Sequence, residues 1–454
     1  MNLHDLIKKD LFNMLEKKKI LWLCSYPLTE VGRKSTGTWL NSMLEALLER
    51  DELEMYNISF GKVNGFTRMD YKNLTQWVVP HERPDRKGLA SPRTIGFVQK
   101  LEKEIGPDLI HVWGTENTWG MLVARKLLQA PALLDIQGIV SEIAKVYTGG
   151  LTNKELVQCI GLKEILLPNR FLYFTARTFA KRGIFEKFVI RNFRHVSVQS
   201  EWVKSHIEII NPDCRIIPTG LLLRKEFYES RAWSIREPGY PVIFTSSSGS
   251  IPYKGLHVAF RALAVLKRKF PTIRLRVVGS IHDTNIRFMK KGYSAWLMRE
   301  ARKLGIAGSV EWLGALDAAG IVEQLQASDV ALVTSYIESY CLALAEAMVV
   351  GVPSVASYAG AIPELGKHNE SVLFFPVGDA VSCASQVEKI LVDPGLATTL
   401  SGNARATGLE RNNRERIATR QVQIYNQVLG DKLKASSTGI GNQAFSTNIK
   451  KQVE

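Results

Sequence analysis

The chain has 454 residues, of which 45% are hydrophobic and 23% are charged. A single hydrophobic core stops growing at roughly 250–300 residues, so this length argues against one domain. The 59 basic residues outnumber the 44 acidic residues and leave a net charge of +15. This charge favours partners that carry phosphate or an anionic membrane surface, and by itself it does not exclude nucleic acid.

The five cysteines lie far apart and form no Cys-x-x-Cys pair. This spacing argues against a disulfide scaffold and a cysteine-based zinc site, and it fits a reducing compartment. Charges interrupt every apolar run in residues 1–19, so no signal peptide is expected. The uncharged stretch 347–363 is shorter than the roughly 20 apolar residues of a membrane-spanning helix. We therefore expect a chain that is soluble or lies on a membrane surface.

Short apolar runs recur along the chain, each followed by a turn of small residues and then by a helical pattern such as 256–269. The runs lie at residues 20–25, 109–113, 133–136 and 196–199 in the first half, and at 242–246, 273–278, 310–313, 330–334, 352–357 and 372–375 in the second. Strands that alternate with helices indicate parallel sheets built from right-handed crossovers. Two such series predict an α/β protein with two doubly wound, Rossmann-like domains and a ligand between the carboxyl ends of facing strands.

The boundary between the two series is predicted after residues 216–220, where a polar stretch leads to Pro238, Gly239 and Pro241. We assign residues 1–225 to a first domain and 226–415 to a second. A helix over residues 416–430 is expected to return to the first domain. Residues 431–454 are rich in Ser, Thr, Gly, Asn and Gln and are expected to be disordered, and residues 80–92 are expected to form a surface loop.

The segment TSYIESYCLALAEAMVVGVPSVASYAGAIPE carries the most information about function. Glu338 lies in a loop after a predicted strand, and Glu346 lies eight positions later within a predicted helix over 342–350. Glu346 has mostly apolar neighbours, which does not suit a purely solvated side chain. The N–H groups of Leu342 and Ala343 open the helix without intrahelical partners and can hold a phosphate.

This segment resembles the signature of glycosyltransferase family 4, the retaining enzymes of the GT-B fold. The residues that match the signature are Glu338, Glu346, Ala347, Met348, Gly351, Pro353, Pro363 and Glu364. The resemblance implies two Rossmann-like domains that face each other across a cleft and bind a nucleotide-sugar. It also implies transfer with retention at the anomeric carbon, in which the departing phosphate helps to take the proton of the acceptor. Glu338 would bind sugar hydroxyls or orient the phosphate, and Glu346 would hold the ribose.

The resemblance assigns further positions to the donor. Lys254, just before Gly255 and a predicted helix, occupies the place of the lysine that contacts the donor diphosphate, where its charge adds to the helix dipole. The family has an arginine five residues earlier; here that residue is Gly249, and the hydroxyls of residues 246–248 are a weak substitute. The other implied donor positions are two glycine turns beside the nucleobase, one serine, and a glycine after the first strand. They are Gly279, Gly314, Ser248 and Gly37.

Three residues of the first domain are candidates for the acceptor side. Gln137 stands where many family members have a histidine, and it can hydrogen-bond a sugar hydroxyl but cannot act as a base near neutral pH. His111 is an alternative, although a buried strand histidine is more often structural. Glu116 follows the same strand and would either touch the acceptor or remain a solvated loop residue.

No metal or cofactor is expected beyond the nucleotide-sugar itself. No two aspartates of the chain are separated by one residue, so the Asp-x-Asp metal motif of the other major glycosyltransferase fold is absent. The charge of the leaving group would then be met by Lys254 and by helix N-termini.

The region 161–194 combines eight basic residues with two acidic residues and seven Phe or Tyr. Such a pattern is typical of a surface that lies on anionic lipid, of a nucleic-acid platform, or of an amphipathic helix whose aromatic side chains fill the core. The pattern favours core positions for most of the aromatic residues and a membrane-facing patch for the rest. No nucleic-acid recognition motif accompanies the charge.

The sequence thus predicts a cytoplasmic transferase that moves a sugar from a nucleotide-sugar to a glycan acceptor. A lipid-linked acceptor at the inner face of the membrane, as in capsule or O-antigen assembly, would suit the basic surface. A non-catalytic GT-B relative and a basic nucleic-acid-binding protein remain alternatives. Replacing Glu346 or Lys254 with alanine is expected to abolish transfer and to leave the melting temperature nearly unchanged.

Overall fold

The structure is a computed structural model that describes residues 17–29, 39–161, 164–165, 171–237, 239–246, 251–279 and 292–430. Gly37, Ser248 and Gly249 lie outside the described residues, and so does the segment 431–454.

The described chain alternates strands and helices. The strands are β1 (Lys18–Cys24), β2 (Leu53–Gly61), β3 (Thr67–Arg68), β4 (Thr75–Pro80), β5 (Leu109–Trp113), β6 (Ala132–Asp135), β7 (His195–Val198), β8 (Arg215–Pro218), β9 (Val242–Ser246), β10 (Arg274–Val278), β11 (Val310–Gly314), β12 (Val330–Val333), β13 (Ser354–Ser357) and β14 (Leu373–Phe375). The helices are α1 (Trp39–Leu48), α2 (Pro92–Ile105), α3 (Trp119–Ala124), α4 (Val140–Val146), α5 (Asn153–Gln158), α6 (Leu172–Arg191), α7 (Glu201–Ile210), α8 (Lys225–Tyr228), α9 (Leu256–Leu266), α10 (Gly292–Lys303), α11 (Ala318–Gln326), α12 (Leu342–Val350), α13 (Ala380–Val392), α14 (Pro394–Arg411) and α15 (414–430).

The strands form two sheets, as the sequence predicted. The first sheet has the order β3-β4-β2-β1-β5-β6-β7-β8, and the second has the order β11-β10-β9-β12-β13-β14. All pairings are parallel except that of β3 with β4. Each sheet reverses its order beside its first strand, since β1 pairs with β2 and β5, and β9 pairs with β10 and β12. Ligands of doubly wound sheets bind at the carboxyl ends of strands at such a reversal.

The sequence did not indicate β2 and β4, because polar residues interrupt their apolar pattern. Asn57 of β2 is fully buried and donates a hydrogen bond from Nδ2 to Gln76 Oε1 of β4 at 3.1 Å. The Gln76 amide in turn donates to the Leu28 carbonyl at 2.7 Å. Hydrogen bonds to each other and to a loop backbone compensate most of this burial, although Asn57 Oδ1 has no partner among the described residues. A hydropathy pattern does not register such pairing.

Helix α15 packs against the first domain although it follows the second in the chain. Tyr425 is fully buried, and its hydroxyl accepts a hydrogen bond from Trp22 Nε1 of β1 at 3.0 Å. His111 Nδ1 of β5 lies 3.0 Å from the same hydroxyl. The end of the described chain is thereby fixed to the middle of the first sheet.

Hydrogen bonds also join the two domains directly. The Glu364 carboxylate accepts from the backbone N–H groups of Glu201 and Trp202, at the start of α7, at 2.8 Å each. Ser339 Oγ donates to the Gln137 carbonyl at 2.6 Å, and Ser200 Oγ donates to the Ser339 carbonyl at 3.0 Å. Glu364 thus caps a helix of the other domain, where a carboxylate is favoured by the helix dipole.

Helix α6 departs from the expectation that most aromatic residues of the region 161–194 lie in the core. Of the seven Phe and Tyr residues there, Phe193 is buried, whereas Tyr173, Phe174 and Phe188 are exposed. The side of α6 that packs on α3 and α4 is instead lined by smaller residues such as Gly183 and Val189. In the described ranges, no helix is both long and apolar enough to cross a lipid bilayer.

Candidate active site

A cavity of about 200 Å³ lies between the two domains, at the reversal point of the second sheet. Its lining comes from both halves of the chain and includes charged, hydroxyl, amide and aromatic side chains. The described lining residues are Trp39, Gln137, Gln199, Leu221, Ser246, Lys254, Val333, Ser335, Glu338, Ser339, Tyr340, Cys341, Leu342 and Ala343. Four residues that the sequence assigned to the donor or to catalysis therefore meet around one space, together with Gln137 of the acceptor group.

Lys254 and Glu338 form an ion pair within this cavity. The Lys254 Nζ lies 2.6 Å from Glu338 Oε1, and Ser335 Oγ donates to the same oxygen at 2.7 Å. Burial alone would lower the pKa of Lys254, but the adjacent Glu338 carboxylate raises it above its ordinary value. Lys254 is therefore a fixed positive charge at any physiological pH.

Two glycines allow the loops of this ion pair to approach each other. Gly255 has a φ of 73°, and a Cβ there would overlap the Thr334 carbonyl oxygen. Gly360 has a φ of 54°, and a Cβ there would overlap the Glu338 carbonyl oxygen. Both positions need glycine, because the positive φ angle is unfavourable for other residues and the neighbouring carbonyl oxygen leaves no space for a Cβ.

Helix α12 opens onto the cavity with its first turn. Cys341, just before it, has a φ of 86°, which for a residue other than glycine costs about 1–3 kcal/mol of strain. Leu342 and Ala343 follow and line the cavity. The first N–H groups of a helix carry partial positive charge and lack intrahelical partners, so this turn is suited to an anion beside Lys254.

Glu346 lies one helical turn beyond Leu342 and pairs with Arg224, which sequence reasoning did not single out. Arg224 Nη2 lies 2.7 Å from Glu346 Oε1, and the two side chains are 8% and 11% exposed. Burial raises the pKa of Glu346, and Arg224 offsets part of that rise. Arg224 also stacks over the ring of Phe227, at 4.9 Å, and its Nη1 has no hydrogen-bond partner among the described residues.

Glu116 and Gln137 lie close together in the first domain, and of the two only Gln137 lines the described cavity. A Cβ at Gly114 would overlap Glu116 Oε2 and lie 3.5 Å from Gln137 Cδ. Both Glu116 Oε2 and Gln137 Nε2 are buried without a hydrogen-bond partner in the part of the chain that the structure describes. Buried polar atoms of native proteins nearly always find partners, so an acceptor and a donor left free together suit a ligand hydroxyl.

The carboxyl groups in this part of the first domain hold their protons more tightly than usual. Burial, together with the nearby Glu186, raises the pKa of Glu116 to about 7, against partial opposition from Arg182. Burial likewise raises the pKa of Asp135 to about 7, although Ser197 and Gln199 each hydrogen-bond it at 2.7 Å. Glu116 adds to this rise through its own charge.

The raised pKa of Glu116 predicts a pH-dependent stability. The folded state keeps a proton on Glu116 that the unfolded state releases above pH about 4.5. The contribution of Glu116 to the free energy of unfolding is therefore fully present at low pH and is lost as pH rises through about 7. We expect Glu116→Gln to lose less unfolding free energy than the parent protein between pH 5 and pH 8. Urea unfolding at both pH values measures this, and an identical pH dependence in both proteins would contradict the assignment.

His111 does not reach the cleft. It is fully buried between Trp22 and Trp113, its Nδ1 faces Tyr425, and burial lowers its pKa well below the ordinary value. The acceptor role that the sequence suggested therefore does not suit it, and the structural role applies.

The remaining predicted donor positions are distributed as follows. Gly279 and Gly314 end the neighbouring strands β10 and β11 with positive φ angles, and the Gly279 N–H donates to the Gly314 carbonyl at 2.8 Å. They lie beyond the described lining of the cavity. Gly37 and Ser248 are outside the described residues.

The groups around the cavity are suited to binding an anionic group next to a hydroxyl. A fixed cation, a helix N-terminus and the Glu338 carboxylate line the cavity from the second domain, and Gln137 lines it from the first. Such a site can hold an anionic group on one side and orient a hydroxyl on the other.

Comparison with known proteins finds sequence similarity in the second domain. Residues 229–407 match the family model described as "Glycosyl transferases group 1", a segment that contains Lys254, Glu338 and Glu346. The chain is similar to the N-acetyl-alpha-D-glucosaminyl L-malate synthase of Bacillus anthracis, with 35% identity over 94 residues, or 21% of this chain and 25% of that protein. The curated relatives are matched over only a quarter to about half of their own length.

Solved structures match nearly the whole chain. Sucrose-phosphate synthase from Thermosynechococcus elongatus has a TM-score of 0.68 at 17% identity and covers 91% of this chain and 100% of its own. Anabaena Alr3699/HepE, solved in complex with UDP and glucose, has a TM-score of 0.60 at 18% identity and covers 92% of this chain and 100% of its own. The fold is GT-B, with two parallel-sheet Rossmann-like domains, as the sequence predicted.

Proposed function

We propose that this protein is a retaining glycosyltransferase of the family 4 type, which moves a sugar from a nucleotide-sugar to a hydroxyl of a carbohydrate acceptor without a metal ion. The observation that carries the proposal is the cavity between the domains. There Lys254, Glu338 and the first turn of α12 face Gln137 across the cleft. The similarity of the second domain to group 1 glycosyl transferases supports the same activity.

The donor would bind along the second domain. Its diphosphate would lie over the first turn of α12 beside Lys254, which would exchange its contact with Glu338 for the phosphate oxygens. Glu338 would then be free to accept hydrogen bonds from sugar hydroxyls. Glu346, one turn deeper and held by Arg224, would accept from the ribose hydroxyls.

The acceptor would approach from the first domain. Its attacking hydroxyl would accept a hydrogen bond from Gln137 Nε2 and direct its own proton towards the departing phosphate. A neighbouring hydroxyl of the acceptor would donate to Glu116 Oε2, which, like Gln137 Nε2, has no partner among the described residues. The acceptor oxygen forms the new bond to the anomeric carbon as the bond to the phosphate oxygen breaks. The hydroxyl proton passes to the departing phosphate, whose growing charge Lys254 and the helix N-terminus stabilise.

A lipid-linked glycan at the inner face of the membrane is the acceptor class that best suits the charge of the chain. The net charge of +15 favours an anionic surface. Exposed basic and aromatic residues on α6 belong to the domain that would receive the acceptor.

Donor turnover tests the proposal directly. The protein is incubated with a panel of nucleotide-sugars, with and without a chelator, and the release of nucleoside diphosphate is measured. We expect release from one donor, insensitive to the chelator, and a product whose anomeric configuration by NMR equals that of the donor. Binding of a donor without release would indicate a non-catalytic relative, and a steeply salt-dependent gel shift without donor binding would indicate a nucleic-acid-binding protein.

A further inference from the structure

Exposed large apolar side chains are concentrated in one stretch of the first domain. Of the seventeen such residues among those described, seven lie between residues 157 and 188. Four of the seven are on α6: Tyr173, Phe174, Ile184 and Phe188, which are 59%, 40%, 69% and 37% exposed. Scattered exposed apolar residues are normal, but a contiguous group of them marks an interaction surface.

The four apolar residues share one face of α6 with basic residues. At roughly 100° per residue, they fall within an arc of roughly 140° together with Arg177, Lys181, Lys187 and Arg191. All four basic residues are exposed. We call these eight residues the α6 outer face, and they run along the whole helix, which is roughly 30 Å long.

No acidic residue interrupts this face. Between residues 156 and 191 the sequence has two acidic residues, Glu164 and Glu186, and both are buried. Glu164 accepts hydrogen bonds from the N–H groups of Gly161 and Gly292, and Glu186 accepts from those of Val140 and Ser141. The positive charge of the outer face is therefore not neutralised by its own element.

The opposite side of α6 is attached to the candidate active site. Arg182 donates to the backbone carbonyl of Glu116. The ring of Phe179 lies 4.8 Å from that of Tyr147, which lies 5.7 Å from the ring of Tyr253, the residue before Lys254. A surface that the outer face contacts is thus one helix diameter, roughly 10–12 Å, from the walls of the cleft.

We propose that the α6 outer face binds the surface of an anionic lipid bilayer, with its apolar side chains at the level of the acyl boundary and its basic side chains among the headgroups. A helix with large apolar and basic residues on one exposed face and no acidic residue there has the chemistry of an interfacial anchor. The idea that the bilayer carries the acceptor glycan rests on the proposed function. The lipid contact itself is argued from the α6 outer face alone and does not depend on that function.

Flotation of the full chain with vesicles tests this inference. We expect binding to vesicles of mixed phosphatidylglycerol and phosphatidylcholine, weak binding to phosphatidylcholine alone, and weaker but measurable binding to the mixed vesicles at high salt. Lys181→Gln with Lys187→Gln should lower the partition coefficient by about 30-fold, since each basic residue near an anionic surface contributes about fivefold. Ile184→Ser with Phe188→Ser should lower it at low salt and at high salt alike.

Matched variants control for charge and for exposed apolar area. Lys103→Gln with Lys389→Gln removes the same charge from α2 and α13, where both lysines are exposed. Ile209→Ser removes an 85% exposed apolar residue from α7 in the same domain. Both controls should bind vesicles as the parent protein does, and all variants should retain donor turnover with a water-soluble acceptor.

Three results would overturn the inference. They are equal binding to neutral and anionic vesicles, an equal loss in the α6 variants and the controls, and a larger loss of nucleic-acid affinity than of lipid affinity in the α6 variants. Failure of the proposed function is separate, because it would abolish donor turnover and leave flotation unchanged.

Discussion

Replacing Lys254 with methionine is expected to lower the rate of sugar transfer by roughly 10²–10³-fold, the usual cost of losing one group that stabilises charge in a transition state. The donor diphosphate would lose the fixed cation beside the first turn of α12. Methionine keeps most of the side-chain volume, so the walls of the cavity should remain in place. Arginine at the same position keeps the charge and should retain part of the activity.

The cost to stability should be small. The side chains of Lys254 and Glu338 are 30% and 15% exposed, and Glu338 keeps the hydrogen bond from Ser335 Oγ. A partly exposed pair of this kind contributes about 1 kcal/mol or less to the free energy of unfolding. Urea unfolding alongside steady-state kinetics therefore separates loss of the site from loss of the fold.

A second ion pair in the same domain provides the control. Arg236 Nη1 lies 2.8 Å from Asp329 Oδ2, with side chains 25% and 24% exposed, and neither residue lines the described cavity. Arg236→Met should alter stability by a similar amount and leave transfer unchanged. Full activity of Lys254→Met, or an equal loss in both variants, would exclude Lys254 from the donor site.

Replacing Glu346 is expected to affect both donor binding and stability. Glu346→Gln keeps the shape but loses the charge-assisted hydrogen bonds to the ribose, so the donor Kd should rise by roughly 10- to 100-fold. Glu346→Ala should in addition lower the unfolding free energy by about 3–5 kcal/mol, because it leaves Arg224 charged and buried. This corrects the expectation from sequence that alanine at Glu346 leaves the melting temperature unchanged.

A double variant separates the two roles of Glu346. Arg224→Leu combined with Glu346→Leu replaces the buried pair by apolar side chains, which is often neutral for stability. We expect this variant to recover stability and to remain unable to bind the donor in calorimetry. Recovery of donor affinity together with stability would mean that the Arg224–Glu346 pair serves only the fold.

Much of the fold was predictable because it depends on local patterns. Alternating apolar runs and helices predicted both sheets, and the helix over 342–350 was predicted with its observed bounds. Strand β2 was missed because its buried Asn57 donates from Nδ2 to Gln76, a partner nineteen residues away in the chain. Periodicity reports which side chains avoid water, and it does not report which polar groups find a buried partner.

Some residues of the candidate site were predicted from the sequence, and others were recognised only in the structure. The start of α12 was predicted as an anion site from the helix pattern, and a parallel sheet places its ligand-binding loops at such strand ends. Lys254 and the role of Glu338 were predicted from the resemblance to glycosyltransferase family 4. Arg224 and Glu364 were not assigned roles, because Arg224 meets Glu346 across 122 residues and Glu364 caps a helix 163 residues away. His111 was a candidate because it lies in a predicted strand of the first domain, yet α15 covers it with Tyr425.

By itself, the sequence determined the two α/β domains and the residue types around the cleft, since these follow from strand periodicity and short-range spacing. The tertiary structure alone decided which charges are paired, which polar atoms are left free, and which side of α6 meets solvent. The physical reason is that burial and pairing depend on elements that are distant in the chain. In the sequence, Glu346 is an acidic residue among apolar neighbours. Only the folded chain brings Arg224 against it and forms the buried ion pair that fixes its carboxylate.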